Sequence, residues 1–227
     1  MGIFFNTALL VLKKDFAIEL KSREIVYTTL LFALSCILIF SLTFVVEGQP
    51  LAEAASGIDW IAFAFSGTLA LGRTFERERY SETLRALMLA PAPRAAIYVG
   101  KLLGMVTLLV AAEALIVPLV SLLFQANLLA HLPLLAPLLL LGTLGFAGVG
   151  TLFAAMLVRA RTRDVLLPIL LYPITVPVMI AGVRGTAALF QATPDEALAR
   201  FWIALLVFFD VVFVTLALWT LEPVMTE

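Results

Sequence analysis

Two carboxylates stand where a carboxylate is costly. Glu113 and Asp210 each fall near the middle of a long apolar run, and no lysine or arginine falls inside any such run to pair with them. A charge at the centre of a membrane-spanning helix costs about 2.5–3.5 kcal/mol on insertion scales. Such residues face a protein interior or a water-filled path. They form a candidate intramembrane polar site, and the plainer alternative for each is a hydrogen-bonded carboxyl at a helix interface. A second constellation lies in the segment 73–101, RTFERERYSETLRALMLAPAPRAAIYVGK, which carries Glu76, Arg77, Glu78, Arg79, Glu82, Arg85 and Arg94. It is too charged to enter lipid. Leu84, Leu87, Met88 and Pro91 recur at i, i+3, i+4 and i+7, one face of a helix. Ser81 is placed to cap its start, and Pro91 and Pro93 stop it. The segment therefore reads as a short amphipathic helix at a membrane surface. Glu76, Glu78, Ser81, Leu84, Leu87 and Met88 would form its docking surface for a soluble partner. The alternative is a solvated loop whose basic residues set topology.

Most other chemistry is missing. The chain has no GxxxxGK[ST], so it holds no nucleotide by a P-loop. GxSxG, HExxH and CxxCH are also absent. One histidine, His131, cannot build a metal site alone, and one cysteine, Cys36, permits no disulfide within the chain. The net charge of −1 and the lack of a basic arm give no reason to expect nucleic acid. The chain is not expected to be an enzyme by itself or to carry a cofactor.

The elements that must position these residues are membrane helices. Of 227 residues 63% are hydrophobic, and the mean hydropathy is +1.09. Soluble domains are about 45–50% apolar. The expected fold is therefore all-α and polytopic, a single permease-like domain over 1–227 with six transmembrane helices at 25–46, 57–72, 102–124, 132–158, 165–183 and 201–221. Residues 1–24 read as an interfacial amphipathic helix, with Phe5, Leu9, Leu12, Phe16 and Leu20 on one face and Lys14 and Lys21 opposite. Seven charges in these residues argue against a cleavable signal peptide. The 73–101 segment lies between spans two and three, and a helix-containing outer loop covers 184–200.

Thirteen of the 15 lysines and arginines fall on one side of this layout, leaving Arg184 and Arg200 on the other. Both termini and the docking segment are therefore expected in the cytoplasm. The fourth span contains Gly142, Gly145, Gly148 and Gly150, small residues that let helices approach closely in lipid. The fifth contains Pro168, Pro173 and Pro177 and is expected to be bent and packed inward. In TPDEALAR, Thr193 and Glu196 form a candidate capping box, with Pro194 at the first helical position. Trp60, Trp202 and Trp219 fall near span ends, where aromatic belts form. No internal repeat is visible, which weakens an inverted-repeat carrier.

An N-terminal interfacial helix, six spans and an E-x-E-containing cytoplasmic helix after the second span resemble type-2 ABC exporter permeases. More closely, four stretches look like the cytochrome c maturation permease, the CcmB family. They are KKDFAIELKSRE (Lys13–Glu24), the run Trp60–Lys101, LLLLGTLGFAGVGTLFAAM (Leu138–Met156) and RTRDVLLPILLYPITVPVMIAG (Arg161–Gly182). A serine, Ser81, stands where type-2 permeases have a glycine. The resemblance implies a permease at a bacterial or organellar inner membrane, paired with an ABC ATPase subunit that holds the ATP. It implies a separate haem-handling membrane subunit and a role in haem export or haem-chaperone release for c-type cytochromes. Six spans make half of a translocator, so a homodimer or a second membrane subunit is expected. The alternatives are a drug or lipid exporter permease, a proton-coupled carrier using Glu113 and Asp210, and a structural scaffold.

Overall fold

The computed structural model describes residues 2–46, 49–50, 54–80, 93–126, 128–157, 160, 162–190 and 194–224. Among these the chain is all-α apart from one two-residue pairing. In order come α1 (Gly2–Ser22), α2 (Glu24–Thr43), α3 (Ala55–Tyr80), α4 (Arg94–Leu123), α5 (Leu132–Met156), α6 (Arg163–Leu189) and α7 (Glu196–Val224). A 3₁₀ turn, Leu128–His131, leads into α5. Between α2 and α3, Val45 pairs with Pro50 and Val46 with Gln49 in an antiparallel register.

Five helices are long and apolar enough to cross a membrane: α2, α4, α5, α6 and α7. The expected second span, α3, is not among them. It carries Ser56, Asp59 and Ser66, all buried against neighbours, and it continues past Gly72 into the charged sequence ending at Tyr80. Its interior-facing polar residues lower its hydropathy without exposing it, since Trp60, Ala62, Ala70 and Leu71 are fully buried.

In the apolar helices hydroxyls fold back on the preceding turn. Thr28 donates to the Glu24 carbonyl at 2.8 Å, Ser35 to Leu31 at 2.8 Å and Thr43 to Ile39 at 2.8 Å. A membrane interior offers no water to these groups, so the helix itself satisfies them.

The bundle is built around α5, which packs against α3, α4, α6 and α7. The glycines expected to form a packing seam meet Trp60, Leu71 and Asp210, which come from α3 and α7. At Gly148, Tyr98 of α4 donates its hydroxyl proton to the glycine carbonyl at 2.9 Å. The proline-bearing α6 is one uninterrupted helix that packs against α3, α5 and α7 and keeps an exposed flank at Val165, Ile169, Val176 and Ile180. The central position belongs to α5, because its glycines allow neighbours to close on it from several sides.

The helix expected over the first 24 residues ends at Ser22. Ala8 and Val11 are buried against Gly100 of α4, while Phe5, Leu9, Phe16 and Leu20 stay exposed. Arg23 breaks α1 from α2 with a left-handed backbone, φ 54° and ψ 11°. Glu19 bridges the break, accepting a hydrogen bond from the Val26 amide at 2.9 Å. The cap of α7 is Asp195, whose Oδ1 accepts from the Leu198 amide at 2.9 Å. Pro194 lies before the helix, and Thr193 lies outside the described residues. An aspartate three residues ahead of a free amide makes the shorter cap.

Candidate functional site

The polar interior is assembled by α3, α4 and α5. Glu113, on α4, is 4% exposed, and its Oε1 accepts a hydrogen bond from Thr143 Oγ1 of α5 at 2.8 Å. Asp59, near the start of α3, is also buried and lies close enough to act electrostatically on Glu113. Its Oδ1 has no hydrogen-bond partner among the described residues. An unsatisfied buried acceptor is expensive, so this corner of the bundle concentrates polar cost where α3 and α4 meet α5. That Asp59 lies within electrostatic reach of Glu113 depends on how the helices pack, which no local pattern encodes.

Asp210 occupies a different place. It is 5% exposed on α7, and neither carboxylate oxygen has a partner among the described residues. It lies over bare backbone: a methyl group built on Gly145 would fall 2.6 Å from Asp210 Oδ1 and 3.2 Å from Val178 of α6. Thr143 and Gly145 are two residues apart, about 200° around a helix. Glu113 and Asp210 therefore approach α5 from different sides and do not form one cluster. Among the described residues no group of three histidines, cysteines or acids could hold a metal ion.

Trp60 is not an aromatic-belt residue. It is fully buried, and its ring fits between the backbones of Gly142 on α5 and Gly182 on α6. Its indole N–H donates to Thr186 Oγ1 at 3.0 Å, and its ring meets Phe63 edge-on at 5.5 Å. Glycines on two facing helices create a slot that only a flat side chain fills. Trp219, by contrast, is 80% exposed, as a belt residue would be.

Near the other end of α4, Lys101 is buried with its Nζ 2.7 Å from Asp15 Oδ2 of α1; Lys14 lies 3.0 Å from Asp15 Oδ1. Hydropathy assigned Lys101 to the charged segment, but α4 begins at Arg94, so Lys101 sits about two turns inside the helix. This ion pair ties α1 to α4.

Of the residues expected to dock a soluble partner, Glu76 and Glu78 fall on the last turns of α3, and their side chains lie outside the described set. Ser81, Leu84, Leu87 and Met88 lie outside the described residues altogether. The segment that carries them joins the end of α3 to the start of α4, two helices that pack on each other.

The family model described as CcmB protein matches residues 6–223. Heme exporter protein B of Rhodobacter capsulatus is 33% identical over 157 residues, 67% of this chain and 72% of that one. Heme exporter protein B of Haemophilus influenzae is 28% identical over 170 residues, 75% of this chain and 76% of that one. The protein of the same name from Escherichia coli K12 is 38% identical over 73 residues, 32% of this chain and 33% of that one. With the family match running nearly end to end over a bundle of apolar helices, the chain belongs to the CcmB protein family.

Proposed function

We propose that this chain is the permease subunit of an ABC transporter complex in the inner membrane. It couples ATP hydrolysis on a separate ATPase subunit to haem export or haem-chaperone release in c-type cytochrome biogenesis. The observation that carries this reading is the family match over residues 6–223, together with relatives named as haem exporters. The chain itself has no P-loop sequence, so ATP belongs to the partner. A further membrane subunit handles haem, and a homodimer or a pairing with that subunit completes the translocator. In this reading α3 also crosses the membrane, second in chain order, and brings the spans to six. The lysine and arginine distribution supports a cytoplasmic position for both termini and the 73–101 segment.

Mechanically, closure of the ATPase pushes on the segment carrying Leu84, Leu87 and Met88. The push enters α3 and α4 together, because the segment joins them. Trp60 keys α3 into α5 and α6, and Tyr98 and Glu113 key α4 into α5. Movement therefore passes to the far side through packed helices. Glu113, possessing one hydroxyl donor and an acidic neighbour, is the group whose hydrogen bond would differ between the two states. Asp210 is the second intramembrane polar position.

The test is Leu87→Asp. Burying one leucine is worth about 1.5–3 kcal/mol, so a carboxylate there releases the ATPase while the membrane helices stay assembled. Undiminished co-purification of ATPase with the variant would overturn the docking assignment. The buried acids favour one competing reading, a proton-coupled carrier. Proton uptake into vesicles containing this chain alone would support that reading instead.

A further inference from the structure

A cavity of about 390 Å³ opens between α1, the start of α2 and the lower part of α4. Its walls are apolar, with Phe16 and Leu20 from α1, Ile25 and Val26 from α2, and Met105 and Leu108 from α4. Its rim is charged, with Lys14, Arg23 and Lys101 facing Asp15 and Glu19. Three cations meet two carboxylates, and both carboxylates are already engaged within the protein. Asp15 lies between the two lysines at 3.0 and 2.7 Å, and Glu19 accepts the Val26 amide.

Arg23 is the cation left over. It is exposed, its Nε donates to the Leu20 carbonyl at 3.4 Å, and its terminal nitrogens have no partner among the described residues. Its backbone is left-handed, a conformation that non-glycine residues keep only where their surroundings hold it. That conformation places an unspent guanidinium at the mouth of an apolar groove.

We propose that this groove holds one anionic phospholipid of the surrounding membrane, with an acyl chain along the apolar walls and the phosphate on Arg23. A guanidinium matches phosphate oxygens in a two-bond fork. Charge and shape together favour a lipid: an exposed cation at the end of an apolar groove meets a phosphate while an extended acyl chain lies along the walls. The inference rests on the membrane placement of α2 and α4 and requires no ATPase.

The experiment is native mass spectrometry of the purified full-length chain, stripped of lipid and returned to phosphatidylglycerol or phosphatidylcholine. The wild type is expected to retain one phosphatidylglycerol per chain at least tenfold more strongly than phosphatidylcholine. Arg23→Gln, a surface change, should erase that preference. Ala111→Phe, at an exposed lining position, should fill the groove and lose bound lipid of either kind. Equal retention of the two lipids by the wild type, or an unchanged preference in Arg23→Gln, would overturn the proposal. So would a polypeptide crosslinked into the groove through a photoreactive residue at 111. If Ala111→Phe does not fold, the Arg23→Gln comparison decides alone.

Discussion

The Trp60 slot makes a prediction with a sign that ordinary packing would not give. Gly182→Ala alone adds one methyl group, and that group would overlap the Trp60 ring, whose Cδ2 lies 2.6 Å from the built position. The blocking atoms belong to a rigid, fully buried indole wedged on its other side by Gly142. Relief therefore requires α3 or α6 to move, and overpacking of this kind costs about 1–3 kcal/mol. Trp60→Ala empties the slot and breaks the hydrogen bond to Thr186. Large-to-small changes of this size cost about 3–5 kcal/mol. In the double variant the added methyl enters vacated space. It also replaces a helical glycine by alanine, a gain of up to about 1 kcal/mol. The double variant should therefore be no less stable than Trp60→Ala alone, with a coupling energy of about 1–3 kcal/mol between the sites. Denaturant unfolding of the purified chain in mixed micelles, followed by circular dichroism, measures all four corners of the cycle. Simple additivity of the two losses would refute the slot as the place where α3, α5 and α6 are locked.

Further outcomes follow from the polar pairs. Glu113→Gln keeps an acceptor for the Thr143 hydroxyl and should assemble normally. Glu113→Leu should lose only about 0.6–1 kcal/mol of stability, because Thr143 can turn its proton to its own helix, yet lower c-type cytochrome yield; wild-type yield with improved stability would end the functional reading. Asp15→Asn removes the carboxylate beside buried Lys101 and should destabilise by about 3–5 kcal/mol. Lys101→Met should cost less, since Asp15 keeps Lys14 and is itself 19% exposed; thermal unfolding that ranks the two variants the other way would contradict the account.

What the sequence disclosed here was what repeats along one helix. Apolar length marked the five helices able to cross a membrane, and the expected break between 132–158 and 165–183 falls where α5 ends and α6 begins. The glycine pattern of the fourth span announced a close-packing face, and α5 proved to be the helix on which the bundle closes. Features that join two helices stayed hidden. Lys101 looked like a loop cation because hydropathy averages over a window, and only the start of α4 at Arg94 brings it inside. Trp60 looked interfacial because its position near a span end is readable, whereas glycines 82 and 122 residues later are not obviously its walls.

The same distinction bears on the acids. Hydropathy flagged Glu113 and Asp210 together because both interrupt apolar runs. Packing separates them: Glu113 shares its corner with Thr143 and Asp59, and Asp210 rests on Gly145 beside Val178. A carboxyl with a hydroxyl donor and an acidic neighbour can exchange partners as helices shift. A carboxyl lying on bare glycine backbone has little to exchange with in this arrangement and gains a donor only if α7 moves against α5. The two acids would then respond to different motions, Glu113 to displacement of α3 and α4 by the segment between them, and Asp210 to displacement of α7. Variants at the two positions should consequently combine additively in stability and in cytochrome yield. A strong coupling between Glu113→Gln and Asp210→Asn would show that the acids act as one site.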